Sequence, residues 1–228
     1  MVLRGLIGGA AAVLGLLALA PTAQGGLTAD YRFEDNRRSS VPGASKLLVD
    51  GPGVVEFSEQ KVRGSRQGVL KWPQGTGLRL NDATKAVGNQ RNDYTIVMLV
   101  NLDDVASYNK MIAFKGDDDD YGFYVYSGGL YPYGPNADRY TEDVFKAGRW
   151  VQIALVRSKQ GQIKCFVGDE RQVKEGDPEK THVLGTDQSL LFLRDDLIGS
   201  PEETGGRIAR LRIWDNALSE ARIAGLGL

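Results

Sequence analysis

The run Lys115-Gly-Asp-Asp-Asp-Asp-Tyr121 is the densest cluster of oxygen ligands in the chain. Four neighbouring carboxylates repel one another unless water or a cation neutralises them. Ca²⁺, which takes about 6–8 oxygen ligands, is the cation that such a loop suits. Asp117 and Asp119 alternate within this run, and Asp195-Asp196 open a second acidic stretch that reaches Glu202-Glu203; these four aspartates are the candidate calcium ligands. The spacing is not that of an EF-hand loop, so a solvated acidic turn is the competing reading at both places.

Aromatic side chains offer a different chemistry. Tyr121, Tyr124, Tyr126, Tyr131, Tyr133 and Tyr140 place six of the nine tyrosines in one short stretch. Strand alternation sends Tyr124 and Tyr126 to one face, and a turn at Ser127-Gly-Gly-Leu130 brings Tyr131 and Tyr133 back beside them. Such a row, with its hydroxyls outward, is a platform on which sugar rings stack, and Asn136, Asp138 and Arg139 give it a polar rim. The candidate ligand-binding residues are therefore Tyr124, Tyr126, Tyr131, Tyr133, Asn136 and Arg139. Cross-strand aromatic packing without a ligand is the alternative.

Catalysis has fewer resources. One His (His182) and one Cys (Cys165) exclude an internal disulfide framework and Cys/His zinc sites. Nothing in the sequence brings the two together, and His182, in the polar segment Glu179-Lys-Thr-His-Val, is expected at the surface. Asp169-Glu170 and Glu202-Glu203 are adjacent pairs that would point to opposite faces of a strand, so they read as turn acids. The chain is expected to be non-catalytic, the alternative being a polysaccharide-active enzyme with an unrecognised acid pair.

Lys plus Arg of 28 against Asp plus Glu of 29 gives a formal charge of −1, without the basic excess that nucleic acid attracts. Arg4 and the uncharged run Leu6 to Ala20 have the form of a secretory signal, too short to span a bilayer and stopped by Pro21. Residues 1–25 are expected to be cleaved between Gly25 and Gly26. The remaining chain, 26–228, is then a single exported domain with no stable membrane insertion.

The elements that must carry these side chains are strands. Leu27, Ala29, Tyr31 and Phe33 alternate with polar residues, as in a strand with one buried face. Tyr94 to Leu102 and Trp150 to Val156 are apolar on both parities, as in central strands covered on both sides. A turn at Ser158 to Gly161 makes a hairpin of the second run with Gln162 to Val167. Shorter runs lie at Val54 to Phe57, Gly68 to Trp72, Lys110 to Phe114, Tyr121 to Tyr126, Leu190 to Arg194 and Arg207 to Trp214. Ala217 to Leu226, with Ser219 as its cap, is the only helix signal. The expectation is an all-β antiparallel sandwich with one short C-terminal helix. Trp150, Trp214, Ile153, Leu155, Leu211 and Ile213 should lie in its core, and Trp72, beside Pro73, at a rim.

Four segments in order carry a family resemblance. Gly148-Arg-Trp-Val-Gln-Ile-Ala-Leu-Val156, followed by Cys165-Phe-Val-Gly168, resembles the Trp-containing hairpin of laminin G-like, or concanavalin A-like, jelly rolls. Gly205 to Ser219 is similar to their closing strand and its exit into a short helix, Leu27 to Asp35 to their opening strand, and Tyr94-Thr-Ile-Val97 to a core strand. The resemblance implies a jelly roll and a recognition module for polysaccharide or a glycoprotein glycan, with a protein–protein adhesion domain as a further alternative. Two departures matter. The Asp-x-Ser-Gly-Asn loop that holds calcium in many relatives is replaced by Asp35-Asn-Arg-Arg-Ser-Ser-Val-Pro-Gly43, and the Glu-x-Asp-x-x-Glu strand of the related glucanases is absent.

Overall fold

The computed structural model describes residues 26–88, 92–116, 119–135, 143–196 and 201–226. The expected cleavage segment, together with Asp117, Asn136 and Arg139, lies outside them. The strands in chain order are β1 (Leu27–Tyr31), β2 (Leu48–Asp50), β3 (Glu56–Val62), β4 (Ser65–Trp72), β5 (Gly77–Leu80), β6 (Tyr94–Leu102) and β7 (Asn109–Ala113). They continue as β8 (Gly122–Tyr126), β9 (Gly129–Tyr133), β10 (Val151–Arg157), β11 (Gln162–Val167), β12 (Glu170–Gly176), β13 (Leu190–Phe192) and β14 (Gly206–Trp214). One sheet runs β12-β11-β10-β6-β14-β4-β3, with β1 sharing the β14 edge; the other runs β2-β5-β13-β7-β8-β9. The antiparallel sandwich expected from the sequence is the fold.

Strand periodicity explains how the layers close. In β6 the parity of Tyr94, Ile96, Met98, Val100 and Leu102 faces the main core between the sheets. The opposite parity supplies two outer clusters, Val97 beneath the C-terminal segment and Leu99 beside Val62, Val69 and Ala209. That double coverage is why the run is apolar at nearly every position. Each fully buried aliphatic side chain contributes about 1.5–3 kcal/mol. Ile153, Leu155, Leu211 and Ile213 lie in the main core as expected. Trp214 and Trp150 do not: they sit on the opposite parity of their strands and pack against the outer clusters. Trp72 is not at a rim but buried, its indole N–H donating to Thr204 O at 2.9 Å.

Helical structure is brief. α1 (Thr84–Val87) is a single turn, and α2 (Glu220–Ala224) is shorter than the segment the spacing predicts. Ser219 caps α2 as expected, accepting from the Arg222 amide at 3.2 Å. Leu218 and Leu226 flank the helix and pack with Ile223 on the outer face of the larger sheet.

His182 is also displaced from its expected place. It is 2% exposed and closes a buried polar clasp. Asp177 accepts hydrogen bonds from Arg157 Nε at 2.8 Å, from the Thr181 amide and hydroxyl at 2.8 and 2.9 Å, and from the His182 amide at 3.3 Å. His182 Nε2 lies 3.2 Å from Gly122 O, and its carbonyl accepts from Tyr94 Oη at 2.7 Å. Burial pushes the Asp177 carboxyl up, but hydrogen bonds from His182 and Arg157 outweigh it and hold the group well below the usual carboxylate range. The clasp joins the end of β10 in one sheet to the start of β8 in the other.

Candidate functional site

The β8–β9 hairpin builds an aromatic face. Ser127 and Gly128 both take positive φ, 48° and 71°, the geometry of a two-residue turn whose twist matches the flanking strands. That turn sets Tyr124 opposite Tyr131 and Gly122 opposite Tyr133. Phe123, Val125 and Leu130 enter the core, so Tyr124, Tyr126, Tyr131 and Tyr133 take the outer face of the smaller sheet. β9 is an edge strand, which accommodates Pro132 without loss of a ladder hydrogen bond.

The rings form a continuous panel. Tyr131 and Tyr133 have centroids 5.3 Å apart, Tyr126 and Tyr131 6.4 Å, and Tyr121 and Tyr133 5.6 Å. Tyr108, just before β7, stacks on Tyr126 at 3.9 Å with 15° between the ring planes. Nothing in the tyrosine-rich stretch itself signals Tyr108; its place follows from the pairing of Asn109 with Val125 and of Lys110 with Tyr124. Burial, with Tyr126 and Tyr131 nearby, pushes the Tyr108 hydroxyl up to about 12. Tyr133 is raised too, chiefly by burial. Tyr126, Tyr131 and Tyr133 are partly exposed, as the platform requires.

Tyr124 departs from the expectation. It is fully buried, and its hydroxyl donates to Asp120 O at 2.6 Å instead of pointing outward. Tyr133 meets it edge-on at 6.0 Å, and Lys110 Nζ lies 5.2 Å from its ring centroid. Tyr124 therefore braces the panel from below and presents no face to a ligand.

Beneath this corner the second acidic stretch surrounds one lysine. Lys110, with a side chain 0% exposed, pairs with Asp196, lies 3.5 Å from Asp195 Oδ1 and donates to Asp119 O at 3.3 Å. Where the sequence suggests calcium at Asp195 and Asp196, a lysine ammonium stands between them. Asp119 pairs through Oδ2 with Lys115 at 3.1 Å and through Oδ1 accepts the Tyr121 amide at 2.8 Å. Among the described residues no group of three or more His, Cys, Asp or Glu side chains is arranged to hold a metal ion.

Glu202 and Glu203 diverge, as neighbours on an extended chain should. Glu203 is buried and accepts from the Asp195 amide at 2.9 Å and from Arg194 Nη1 at 3.3 Å. Glu202 stays partly exposed, its amide donating to Asp195 Oδ2 at 2.6 Å. Burial first, then the charges of Asp120, Asp195 and Asp196 against that of Lys110, push its carboxyl up to about 7. A folded-state value above the ordinary 4.5 means that protonation favours the fold, a contribution present below pH 4.5 and lost as pH rises through 7. Glu202→Gln should therefore raise the melting temperature at pH 8 and change it little at pH 4.5. Thermal melts at the two pH values check this, and equal effects at both would contradict it.

The comparisons with known proteins agree with this architecture. No curated protein matches the sequence. Domain 4 of AbnA, a GH43 extracellular arabinanase from Geobacillus stearothermophilus solved in complex with arabinotriose, superposes with a TM-score of 0.69 at 15% identity, over 90% of this chain and 99% of that one. The botulinum neurotoxin serotype G binding domain gives 0.62 at 9% identity, covering 88% of this chain and 50% of its own. The binding domain of Paraclostridial Mosquitocidal Protein 1 gives 0.58 at 11% identity, covering 88% and 51%. This chain thus spans about half of each toxin domain. At such identities the likeness is one of fold. The sequence profile of a laminin G family matches residues 74–224, which takes in β5 to α2 and the whole tyrosine panel, and by that match the chain belongs to the concanavalin A-like lectin/glucanases superfamily.

Proposed function

We propose that this protein is an exported recognition module that binds carbohydrate, free or as a glycoprotein glycan, on the outer face of its smaller sheet. The observation that carries the reading is the panel of partly exposed rings, Tyr126, Tyr131 and Tyr133 with Tyr108 and Tyr121, locked by the β8–β9 turn and by buried Tyr124. Aromatic rings fixed before binding supply contact area at little entropic cost. The arabinotriose complex of the AbnA domain supports sugar binding on this scaffold and makes arabinan the first polysaccharide to try. Export rests on the apolar segment that precedes the fold. No helix among the described residues is long and apolar enough to cross a membrane.

Affinity electrophoresis through gels containing arabinan and other plant and microbial polysaccharides tests the reading. At least one should retard the protein. The double variant Tyr131→Ala, Tyr133→Ala should migrate freely, because aromatic anchors of about 2 kcal/mol each amount to a loss of about a hundredfold or more. Its melting temperature should fall only slightly, since both rings are partly exposed. Equal retardation of variant and parent would contradict the assignment.

A hydrolytic reading has one observation behind it. Glu202, with a carboxyl near 7 and further carboxylates around it, has the titration range of a general acid. Release of reducing ends from a retained polysaccharide, abolished in Glu202→Gln, would establish that reading; retention without release leaves recognition as the function.

A further inference from the structure

Tyr108 and Tyr126 make a contact unlike the rest of the panel. Their centroids are 3.9 Å apart and their planes 15° from parallel, so the two rings lie face against face. Among the described residues, the other tyrosine pairs of this corner lie 5.3–6.4 Å apart with planes tilted by 41° or more. The backbone holds the stack in place. Asn109 is registered with Val125, which sets Tyr108 opposite Tyr126 at the next position along the two strands. The two hydroxyls are hydrogen-bonded, so both rings point the same way and the carbons ortho to each hydroxyl lie beside their counterparts. Both rings are partly exposed and within reach of an oxidant, whereas the sulfur groups that compete for one, those of Cys165, Met98 and Met111, are buried.

We infer that Tyr108 and Tyr126 are an oxidative cross-linking site, coupled to an intramolecular dityrosine by a haem peroxidase acting with hydrogen peroxide. Each phenol gives up one electron and its hydroxyl proton to become a phenoxyl radical. One hydrogen peroxide takes the two electrons and two protons and becomes two waters. The radicals then pair to form a single bond between ortho carbons. The hydrogens on those carbons leave as protons while the two oxygens regain theirs, which restores both phenols, and the chain is lighter by two hydrogens. Because the rings already touch, coupling within the pair outruns coupling between molecules or with a more distant ring. The new bond ties the segment before β7 to the β8–β9 hairpin. The inference is independent of the carbohydrate reading, since a panel with no sugar ligand would cross-link as readily.

Treatment of dilute purified protein with a haem peroxidase and hydrogen peroxide, followed by intact mass spectrometry and peptide mapping of the recovered monomer, tests the inference. The monomer should lose two hydrogens and gain dityrosine fluorescence, with the bond mapped to Tyr108 and Tyr126. The variants Tyr108→Phe and Tyr126→Phe keep the ring and remove the hydroxyl that must be oxidised. Each should lower the yield of cross-linked monomer about tenfold or more, because the remaining phenol has lost a partner held at high effective concentration. An unchanged yield in either variant, a bond mapped to other tyrosines, or coupling only between separate molecules would overturn the assignment. So would the absence of any cross-link under conditions that couple free tyrosine. Melting curves show whether each variant is folded, and should one fail to fold, the map of the parent decides.

Discussion

Lys110→Met should destabilise the protein by about 3–5 kcal/mol at neutral pH, the cost of leaving buried carboxylates without their cation. The side chains of Lys110, Asp195 and Asp196 are 0%, 3% and 0% exposed, so water cannot take the place of the ammonium. Methionine keeps the length and apolar volume of the lysine stem, which confines the change to charge. Burial already raises the Asp195 carboxyl in the parent, and without the ammonium it should rise further. Its contribution to stability is then greatest at low pH and lost as pH rises through the folded-state value, so the deficit should shrink on acidification from pH 7 towards 4. Urea denaturation at both pH values measures it. Adding Asp195→Asn and Asp196→Asn should restore much of the loss, because removing a whole buried ionic group costs far less than orphaning half of it. Parental stability of Lys110→Met at pH 7 would contradict this account of the corner beneath Tyr124.

Asp177→Ala should have an effect of similar size, about 3–5 kcal/mol, because it orphans the Arg157 guanidinium, which is 4% exposed. The same change removes the acceptor for Thr181 and for the His182 amide, and with it the loop whose imidazole reaches Gly122 O. Acid narrows this deficit as well, but only at lower pH, because here it is the parent that loses stability by protonation. Because the Asp177 carboxyl is held below its ordinary value of 3.8, its stabilisation is fully present above about pH 5 and is lost as pH falls through the folded-state value. The gap between parent and variant in urea should be constant from pH 5 to 8 and narrow below pH 4. A gap unchanged by acid would assign the loss to packing alone.

The long strands were legible in the sequence because burial on one or both faces writes a period of two, or an unbroken apolar run, directly into the residues. β2 and β5 were not: with three and four residues, Leu48–Asp50 and Gly77–Leu80 are too short to establish a period. Trp72, Trp150 and Trp214 exchanged expected places because alternation tells that faces differ but not which face a third layer covers. Arg212 stacks over Trp214 at 5.4 Å, and α2 packs beside it, so the outer parity there is nearly as buried as the inner. His182 read as a surface loop residue because its partners Tyr94 and Gly122, and the Arg157 that holds its neighbour Asp177, are remote in sequence.

The tyrosine face was legible to the extent that it is local. Tyr126, Tyr131 and Tyr133 share a hairpin whose turn is written in Ser127-Gly128, and alternation places them together. Tyr108 comes from another segment, and only strand pairing brings it to the panel. Tyr124 obeys the alternation, yet its hydroxyl turns to Asp120, a choice made by an acceptor that no periodicity reveals. Lys110 is the residue whose role was least visible, since a lysine in an apolar strand looks like an exposed position until its two aspartates arrive from 85 and 86 residues away.

Whether this panel is the ligand surface is decided by following the ring signals of the nine tyrosines by NMR while a polysaccharide that retards the protein in gels is added. The signals of Tyr121, Tyr126, Tyr131 and Tyr133 should shift or broaden together, and those of Tyr31 and Tyr94, buried elsewhere in the core, should not move. Unmoved panel tyrosines, with shifts instead at the Trp150 indole on the opposite sheet, would place the ligand on the other face of the sandwich and contradict the assignment.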